Sequence, residues 1–455
     1  MDNNQFNLYV KLGVNYICNE FNVNYAPRVR DQKLFIGVNQ TMYNSIYNIN
    51  NNIDDDDNED NIEINMNCKY YGTEDFIQSK FKEEKHFSVF HLNIHSIERH
   101  IEELRVVLQM LNHKFDLICI SESKIQSGNT PKVNLNIDGY QTPVGTPTEA
   151  KKGGVLIYVK EGINYKPRPD LNIYKQKELE SYFVEIINPN EKNSIVGVIY
   201  RHPCMNPQTF NDEYLKPLTT KLGKENRTTY LTGDFNLDLL KTSNHAPTFD
   251  FLEIMMTQLI LPSITIPTRM NPINNSLIDN IMTNNIHPNL KSGNLTIGIS
   301  DHLPSFIVVP RKNQSHLPKK HNLYKRDTKN FDRENFILDF LQIDWDKELS
   351  NNVNEAAATF FQLMNVLIDR YIPLKKITQK EYKRKYKPWI TDIVVNKIKE
   401  KNNILSKITK CKDQTRKEEL KNQFKALKNE VTQITRTNKK NYYENYFTKH
   451  KDNLS

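Results

Sequence analysis

Short apolar runs, each closed by a polar residue, recur through the middle of this 455-residue chain. Phe87-Ser88-Val89-Phe90-His91-Leu92-Asn93-Ile94 predicts a buried strand, and Phe115 to Ser121 predicts the next. Between them Ile101, Leu104, Leu108 and Leu111 fall at helical spacing behind Ser96, a residue type suited to an N-cap. Further strands are predicted over 154–159, 182–187, 194–200, 229–231, 277–282 and 305–309, with helices over 209–222 and 248–259. Many short strands with few long helices between them imply an α/β or α+β body. Two sheets packed face to face, each covered by helices, would bury these runs. Periodicity alone does not separate that arrangement from a doubly wound parallel sheet.

The flanks read differently. Residues 1–84 show no sustained period, carry an Asn stretch at 48–52 and an acidic block at Asp54–Asp57, and are expected to be mostly disordered or loosely ordered. The body is expected to span 85–312, with Pro304, Pro310 and Pro318 marking its exit. A helical linker follows over 313–380, anchored by Phe340, Leu341, Phe360, Phe361, Met364, Leu367 and Ile368. Pro388-Trp389-Ile390-Thr391 opens a basic helical tail within 381–455. Its broken apolar spacing suits a helical hairpin better than a long coiled coil.

Charge sharpens this division. From Lys383 onward 20 Lys and Arg face 8 Asp and Glu, an excess of +12 against +8 for the whole chain. A basic arm on a near-neutral body is a common way to hold a polyanion, and a tail of this kind is expected to be separable from a body ending near Val309. The five cysteines have no zinc-ligand or redox spacing, and no stretch is long and apolar enough for a bilayer. These features lead to the expectation of an intracellular protein without membrane contact.

Candidate chemistry lies at the strand ends. Asn93, Glu122, Asp234 with Asn236, Asp279, and Asp301 with His302 interrupt or close the apolar runs. Each alone has an ordinary reading: Gly233-Asp234-Phe235-Asn236 is an Asx turn, Glu122 a helix cap, Tyr200 a core aromatic, His302 a loop histidine. Together, oxygen donors gathered with one imidazole are what metal-assisted attack of water on a phosphodiester requires.

Six segments carry a resemblance. Leu92-Asn93-Ile94-His95-Ser96, Ile120-Ser121-Glu122-Ser123, Val198-Ile199-Tyr200-Arg201, Gly233-Asp234-Phe235-Asn236, Leu277-Ile278-Asp279-Asn280 and Ser300-Asp301-His302 follow the order of the endonuclease/exonuclease/phosphatase superfamily signature. Within it the chain looks most like the endonuclease of LINE-type (non-LTR) retrotransposons. Gly153-Gly154-Val155, Pro267-Thr268-Arg269 and Lys387-Pro388-Trp389-Ile390-Thr391 add to that likeness. His95 stands where base-excision members of the superfamily commonly have aspartate, which disfavours abasic-site repair.

The resemblance implies an α+β fold, a four-layer αββα sandwich, here extended by the C-terminal basic helices. It implies Mg²⁺, with Mn²⁺ as a substitute, held by Glu122 and with Asp301 as a candidate for a second ion. Asp234 would orient and deprotonate water, with Asn236 on the same side of an extended strand end. Asn93 and Tyr200 would steady metal or phosphate. His302, held by Asp279, would bind a phosphate oxygen or protonate the leaving group. Thr268 and Ser300 are candidate substrate contacts. The implied partner is double-stranded DNA, nicked in the nucleus for retrotransposition, with element RNA a further partner of the basic tail. The absence of a Tyr-x-Asp-Asp polymerase motif fits the front portion of a mobile-element polyprotein. Other phosphoesters (a phosphoinositide or RNA) and a decayed copy that only binds nucleic acid are the alternatives.

Overall fold

The computed structural model describes residues 25–38, 62–64, 68–81, 85–149, 152–189, 192–270, 275–287, 289–311, 324–328, 331–349, 352–376 and 387–449. The chain forms two compact units, residues 1–317 with 388–455, and residues 318–387.

In the larger unit β1 (Tyr25–Arg30), β2 (Lys33–Val38) and β3 (Ile62–Ile64) make a small antiparallel sheet. The body then runs through β4 (Lys69–Tyr71), α1 (Thr73–Gln78), β5 (His86–Asn93), α2 (Ile97–Leu111), β6 (Leu117–Ser121), β7 (Val144–Thr146) and β8 (Val155–Val159). Next come β9 (Tyr165–Pro167), β10 (Tyr174–Lys175), β11 (Leu179–Ile186) and β12 (Ser194–Arg201). Helix α3 starts at Pro207–Thr209, widens to a π-turn over Phe210–Leu215 and continues as Lys216–Glu225. The rest is β13 (Thr229–Asp234), α4 (Ala246–Met256), β14 (Leu261–Pro262), β15 (Asp279–Thr283), β16 (Lys291–Leu295) and β17 (Ser305–Pro310).

These strands form two mixed seven-stranded sheets. One has the order β4-β16-β17-β5-β6-β8-β7; the other runs β10-β11-β12-β13-β15-β14, with β9 also on β11. Alternation of side chains along each strand builds the layers. On β5, Val89 points between the sheets, to Val184, Val196, Val198 and Ile281. Its neighbours Phe90 and Leu92 face the other way, onto Ile101, Leu104 and Leu108 of α2. On β12, Val196 and Val198 face the inter-sheet core, while Ile195 and Ile199 pack under Leu218 and Leu222 of α3 and Phe251 and Leu252 of α4. The result is helix, sheet, sheet, helix: the α+β sandwich expected, and not a doubly wound parallel sheet.

Several local expectations change. Ser96 precedes α2, but its hydroxyl makes no capping bond. The first amides are taken instead by the loop after β6, with Ser96 N donating to Glu122 O and Ile97 N to Ser123 O. Helix α3 begins earlier than predicted because Asn206 accepts from the amides of Gln208 and Thr209. Part of 1–84 is ordered against the body: Leu34 N donates to Thr265 O at 2.8 Å, and β4 pairs in parallel with β16. The Asn stretch at 48–52 and the acidic block at 54–57 lie outside the described residues.

After the smaller unit, with α5 (Arg333–Leu341), α6 (Trp345–Glu348) and α7 (Val353–Tyr371), the tail forms α8 (Asp392–Lys410) and α9 (Gln414–Lys449). Within the smaller unit β18 (Tyr324–Arg326) pairs with β19 (Leu374–Lys376), and Phe340, Trp345 and Phe360 stack in sequence. Helices α8 and α9 are the predicted hairpin: Asn438 donates to Trp389 O, Lys397 pairs with Glu430, and Leu405 clusters with Leu420. No helix among the described residues is long and apolar enough to cross a membrane.

Gly197 on β12 faces Phe183 on β11 in register, and a Cβ added there would meet the Phe183 ring at 2.2 Å. Gly197→Ala is expected to lower unfolding stability by about 1–3 kcal/mol, the range of overpacked cores. Phe183→Leu should recover part of that loss in the double variant, read as urea midpoints. Equal midpoints for the wild type and Gly197→Ala would contradict this packing.

Candidate active site

Strand register assembles the site. In the second sheet Tyr200 pairs with Asp234 across β12 and β13, and Asp234 pairs with Asp279 across β13 and β15. In the first sheet Asn93 on β5 lies beside Ser121 on β6, immediately before Glu122. The two rows of strand ends meet where the sheets face each other. There Asn93 Nδ2 donates to Asp234 Oδ2 at 2.8 Å, and Tyr200 OH donates to Glu122 Oε1 at 2.7 Å. Two residues with 141 and 78 positions between them and their partners are thus joined across the sandwich.

Two carboxylates opposed on adjacent strands repel each other. Asp234 and Asp279 are each 1% exposed, so water does not relieve them. His302 does: its Nδ1 lies 2.7 Å from Asp279 Oδ2, and Asp234, Asp279 and His302 offer donor atoms all within 4.8 Å of one another. Burial, then the charge of Asp279, raises the Asp234 carboxyl to about 7, against the opposing pull of His302, Asn93 and the Asn236 amide. Burial works against a charged His302, but Asp279 and then Asp234 and Asp301 outweigh it and raise the imidazole to about 9. Asp279 is itself buried, yet His302 holds it below the usual carboxylate range. Thr268, fully buried, accepts from the amides of Ile278 and Asp279 and fixes that strand end.

Glu122 is the other pole. Burial pushes its carboxyl up, but the nearby His95 imidazole, the bond from Tyr200 and the charge of Lys124 prevail and hold it at about 2. His95 Nδ1 lies 3.3 Å and Lys124 Nζ 3.6 Å from Glu122 Oε2, yet that oxygen has no hydrogen bond. Asp279 Oδ1 is also buried without one. A buried carboxylate oxygen without a hydrogen bond, as at Glu122, fits a hard divalent cation, which takes oxygen ligands and keeps several waters. Glu122 with the amide oxygen of Asn93 would hold it; that oxygen otherwise accepts only a 3.2 Å contact from the His95 amide.

The other sequence-predicted residues take different places. Asn236 is not in extended backbone beside Asp234: its φ is +50°, its amide N–H bonds Asp234 Oδ1, and its Nδ2 donates to Arg201 O at 2.6 Å. The Asx turn and the site are therefore the same structure, and the Asn236 side chain is engaged with the backbone. Asp301, expected near a second ion, is half exposed and accepts from Arg269 at 2.7 and 3.1 Å, outside the Asp234–Asp279–His302 cluster. Ser300, a candidate substrate contact, braces the site here: its hydroxyl donates to Asn93 O at 2.6 Å and accepts from His302 N. Thr268 is likewise a support.

Lys124, His91 and Arg201 were given no role from the sequence, and His95 was noted there only as standing in place of aspartate. Lys124 and His95 flank Glu122. His91, buried behind the cluster, is lowered to about 4 by burial, with Asp279 and His302 acting on it in opposite senses. The only sequence signal for it is a histidine within the apolar run of β5. Arg201 is 2% exposed and donates to the carbonyls of Phe235, Met205 and Asn236 at 2.6, 2.6 and 2.7 Å, holding the turn after Asp234.

Solved structures similar to this chain include the AP endonuclease LMAP from Leishmania major, with 15% identity and a TM-score of 0.40 over 51% of this chain and 90% of that one. The endonuclease domain of TRAS1, a telomere-specific non-LTR retrotransposon, matches with 14% identity and a TM-score of 0.38 over 49% and 98%. The human Nocturnin catalytic domain matches with 14% identity and a TM-score of 0.37 over 50% and 94%. Among curated proteins none matches the sequence. Residues 90–302, from the middle of β5 to His302 itself, match the model of the Endonuclease/Exonuclease/phosphatase family.

Proposed function

We propose that this chain is a divalent-metal-dependent endonuclease that hydrolyses one phosphodiester of double-stranded DNA, of the kind that opens target DNA for a non-LTR retrotransposon. The observation that carries this reading is the convergence of Asp234, the Asp279–His302 pair and the Glu122–Tyr200 pair at the facing strand ends of the two sheets. A bound Mg²⁺ or Mn²⁺ supplies a Lewis acid that withdraws charge from a phosphate oxygen. Asp234, raised toward neutrality, suits the residue that orients water and accepts its proton. His302 is charged near neutral pH and fixed through Nδ1, so its Nε2 is the ring nitrogen left for a phosphate oxygen or the leaving group. Asn93 fixes Asp234, and Tyr200 fixes Glu122.

The retrotransposon reading is supported by the order of the six segments, by His95 in place of aspartate, and by the Lys387–Thr391 segment. On this reading the chain acts in the nucleus, and its basic helices grip DNA phosphates or element RNA with an affinity that falls steeply as salt rises.

Supercoiled plasmid should give open-circle product with Mg²⁺ and none with EDTA. Asp234→Asn and His302→Ala should each slow nicking by about 10²–10⁴. Rates within a few-fold of wild type for both variants would overturn the assigned roles. Intact plasmid together with hydrolysis of a phosphoinositide or an RNA would move the proposal to that substrate. A second prediction needs no turnover. Tyr200→Phe removes the donor to Glu122 and should weaken Mn²⁺ binding about 10–100-fold, the usual effect of losing a residue that orients a ligand. Titration followed by electron paramagnetic resonance reads this directly, and an unchanged affinity would separate Glu122 from the metal.

A further inference from the structure

The loop between β16 and β17, residues 296–304, carries Ser300, Asp301 and His302. Its site-facing side is braced by the bonds of Ser300 to Asn93 and of Asp301 to Arg269, and by Leu303 N, which donates to Thr268 O at 2.7 Å. Its opposite side is covered by the C-terminal helices. Lys401 on α8 is 0% exposed; its Nζ donates to Gly298 O at 3.1 Å and is bonded to Glu103 on α2. Asn402 Oδ1 accepts from Gly298 N at 3.4 Å. Phe424 of α9 lies so close that a Cβ on Gly298 would come within 2.4 Å of its ring. Leu303, next to His302, clusters with Leu405, Ile408 and Leu420.

A lysine taken wholly out of water is expensive unless it is paired and hydrogen-bonded, so this placement has to be supported by its partners. Both partners belong to the catalytic body: a carboxylate on the helix that covers the first sheet, and a carbonyl in the His302 loop. The tail is therefore not the separable arm expected from its composition; it lies in one compact unit with the body.

We propose that Lys401 is a positioning residue for the active site: by tying Gly298 to Glu103, it holds the loop that delivers His302 to Asp279 and makes the C-terminal helix pair a required part of the catalytic unit. The effect on turnover rests on the nuclease reading above; the effect on the loop does not. Loss of the tie frees the loop's outer side and lets His302 move relative to Asp234. Displacement of about 1 Å in such a constellation is worth about 10²-fold in rate. Substrate affinity, carried by many phosphate contacts, should change little.

The test uses the full chain. In Lys401→Met, hydrogen exchange at amides 296–303 should quicken by about tenfold or more while β12 and β13 keep their protection. The kcat for nicking should fall about 10–100-fold with KM nearly constant. Lys399→Ala, which removes an exposed cation from the same helix, should leave loop exchange at its wild-type rate. If Lys401→Met loosens the sheets as well, Lys401→Met with Glu103→Leu removes both charges and preserves the fold, and loop exchange should still rise. Loop exchange at the wild-type rate in Lys401→Met, or in the double variant where only that one folds, overturns the proposal, whatever the activity. Faster loop exchange in a protein whose wild type nicks no DNA supports the tie and sinks the nuclease reading instead.

Discussion

Everything at the centre of this protein follows from placing Asp234 directly opposite Asp279 on adjacent strands, with almost no exposure to water. Such a pair is unfavourable on its own, because neither charge is solvated and each raises the free energy of the other. The surrounding side chains answer that cost in different ways. His302 neutralises Asp279, Asn93 donates to Asp234 from the other sheet, and Thr268 secures the backbone that presents Asp279. Burial first, and that repulsion second, push the Asp234 carboxyl up and make it easier to protonate. A carboxylate that accepts a proton near neutrality is useful to a hydrolase and is a poor choice for a core. The electrostatic difficulty and the chemical capability have one origin.

The two sheets are consequently coupled through polar contacts as well as through packing. Asn93 to Asp234 and Tyr200 to Glu122 both cross the sandwich, and Ser300 joins the His302 loop to the end of β5. Relative sliding of the sheets would break the first two together, while the third fixes the loop within its own sheet. The apolar core between them, with Val89, Val184, Val198 and Ile281, resists such sliding because close-packed interiors do not deform continuously. The inter-sheet core is thus the rigid support that fixes distances in the site.

The main strands and helices were legible in the sequence because buried strands of a double-sided sheet read as apolar runs, and because the polar residues that close them stand out. What was hidden had physical causes. Strand β16, Lys-Ser-Gly-Asn-Leu, carries no apolar run, yet it is buried. Its polar groups are satisfied locally: Ser292 donates to Ser263 O, Asn294 to the carbonyls of Ile266 and Pro267, and Ser305 to Asn294. Sequence pattern reports side-chain polarity and not the partner that makes burial tolerable. Similarly, nothing local to Asp301 shows that Arg269 claims it, and nothing in Ser300 or Thr268 shows that their hydroxyls face backbone. The tail misled for a related reason. Net charge was read as an arm for a polyanion, but among the described basic residues of the tail Lys401 is buried, held by Glu103 and the Gly298 carbonyl.

Backbone strain is stored at the site as well as in turns elsewhere. His95, Ser96, Glu122 and Asn236 all have positive φ, a region that costs residues other than glycine about 1–3 kcal/mol each. For Glu122 the surrounding contacts make the conformation obligatory. Its carbonyl receives Ser96 N, and the next two amides, Ser123 and Lys124, donate to the carbonyls of Gly154 and Gly153. The glycines are needed there: a Cβ on Gly154 would sit 2.5 Å from Ser123 Oγ, and one on Gly153 would strike the Glu180 carboxylate at 2.6 Å. The Gly153-Gly154 pair therefore has no chemistry of its own. It is the seat on which the β6 loop rests, and it turns the Glu122 carboxylate to Tyr200 instead of letting β6 run on as an ordinary strand. The two glycines and the carboxylate beside them form one device, in which the fold spends stability to orient a buried side chain.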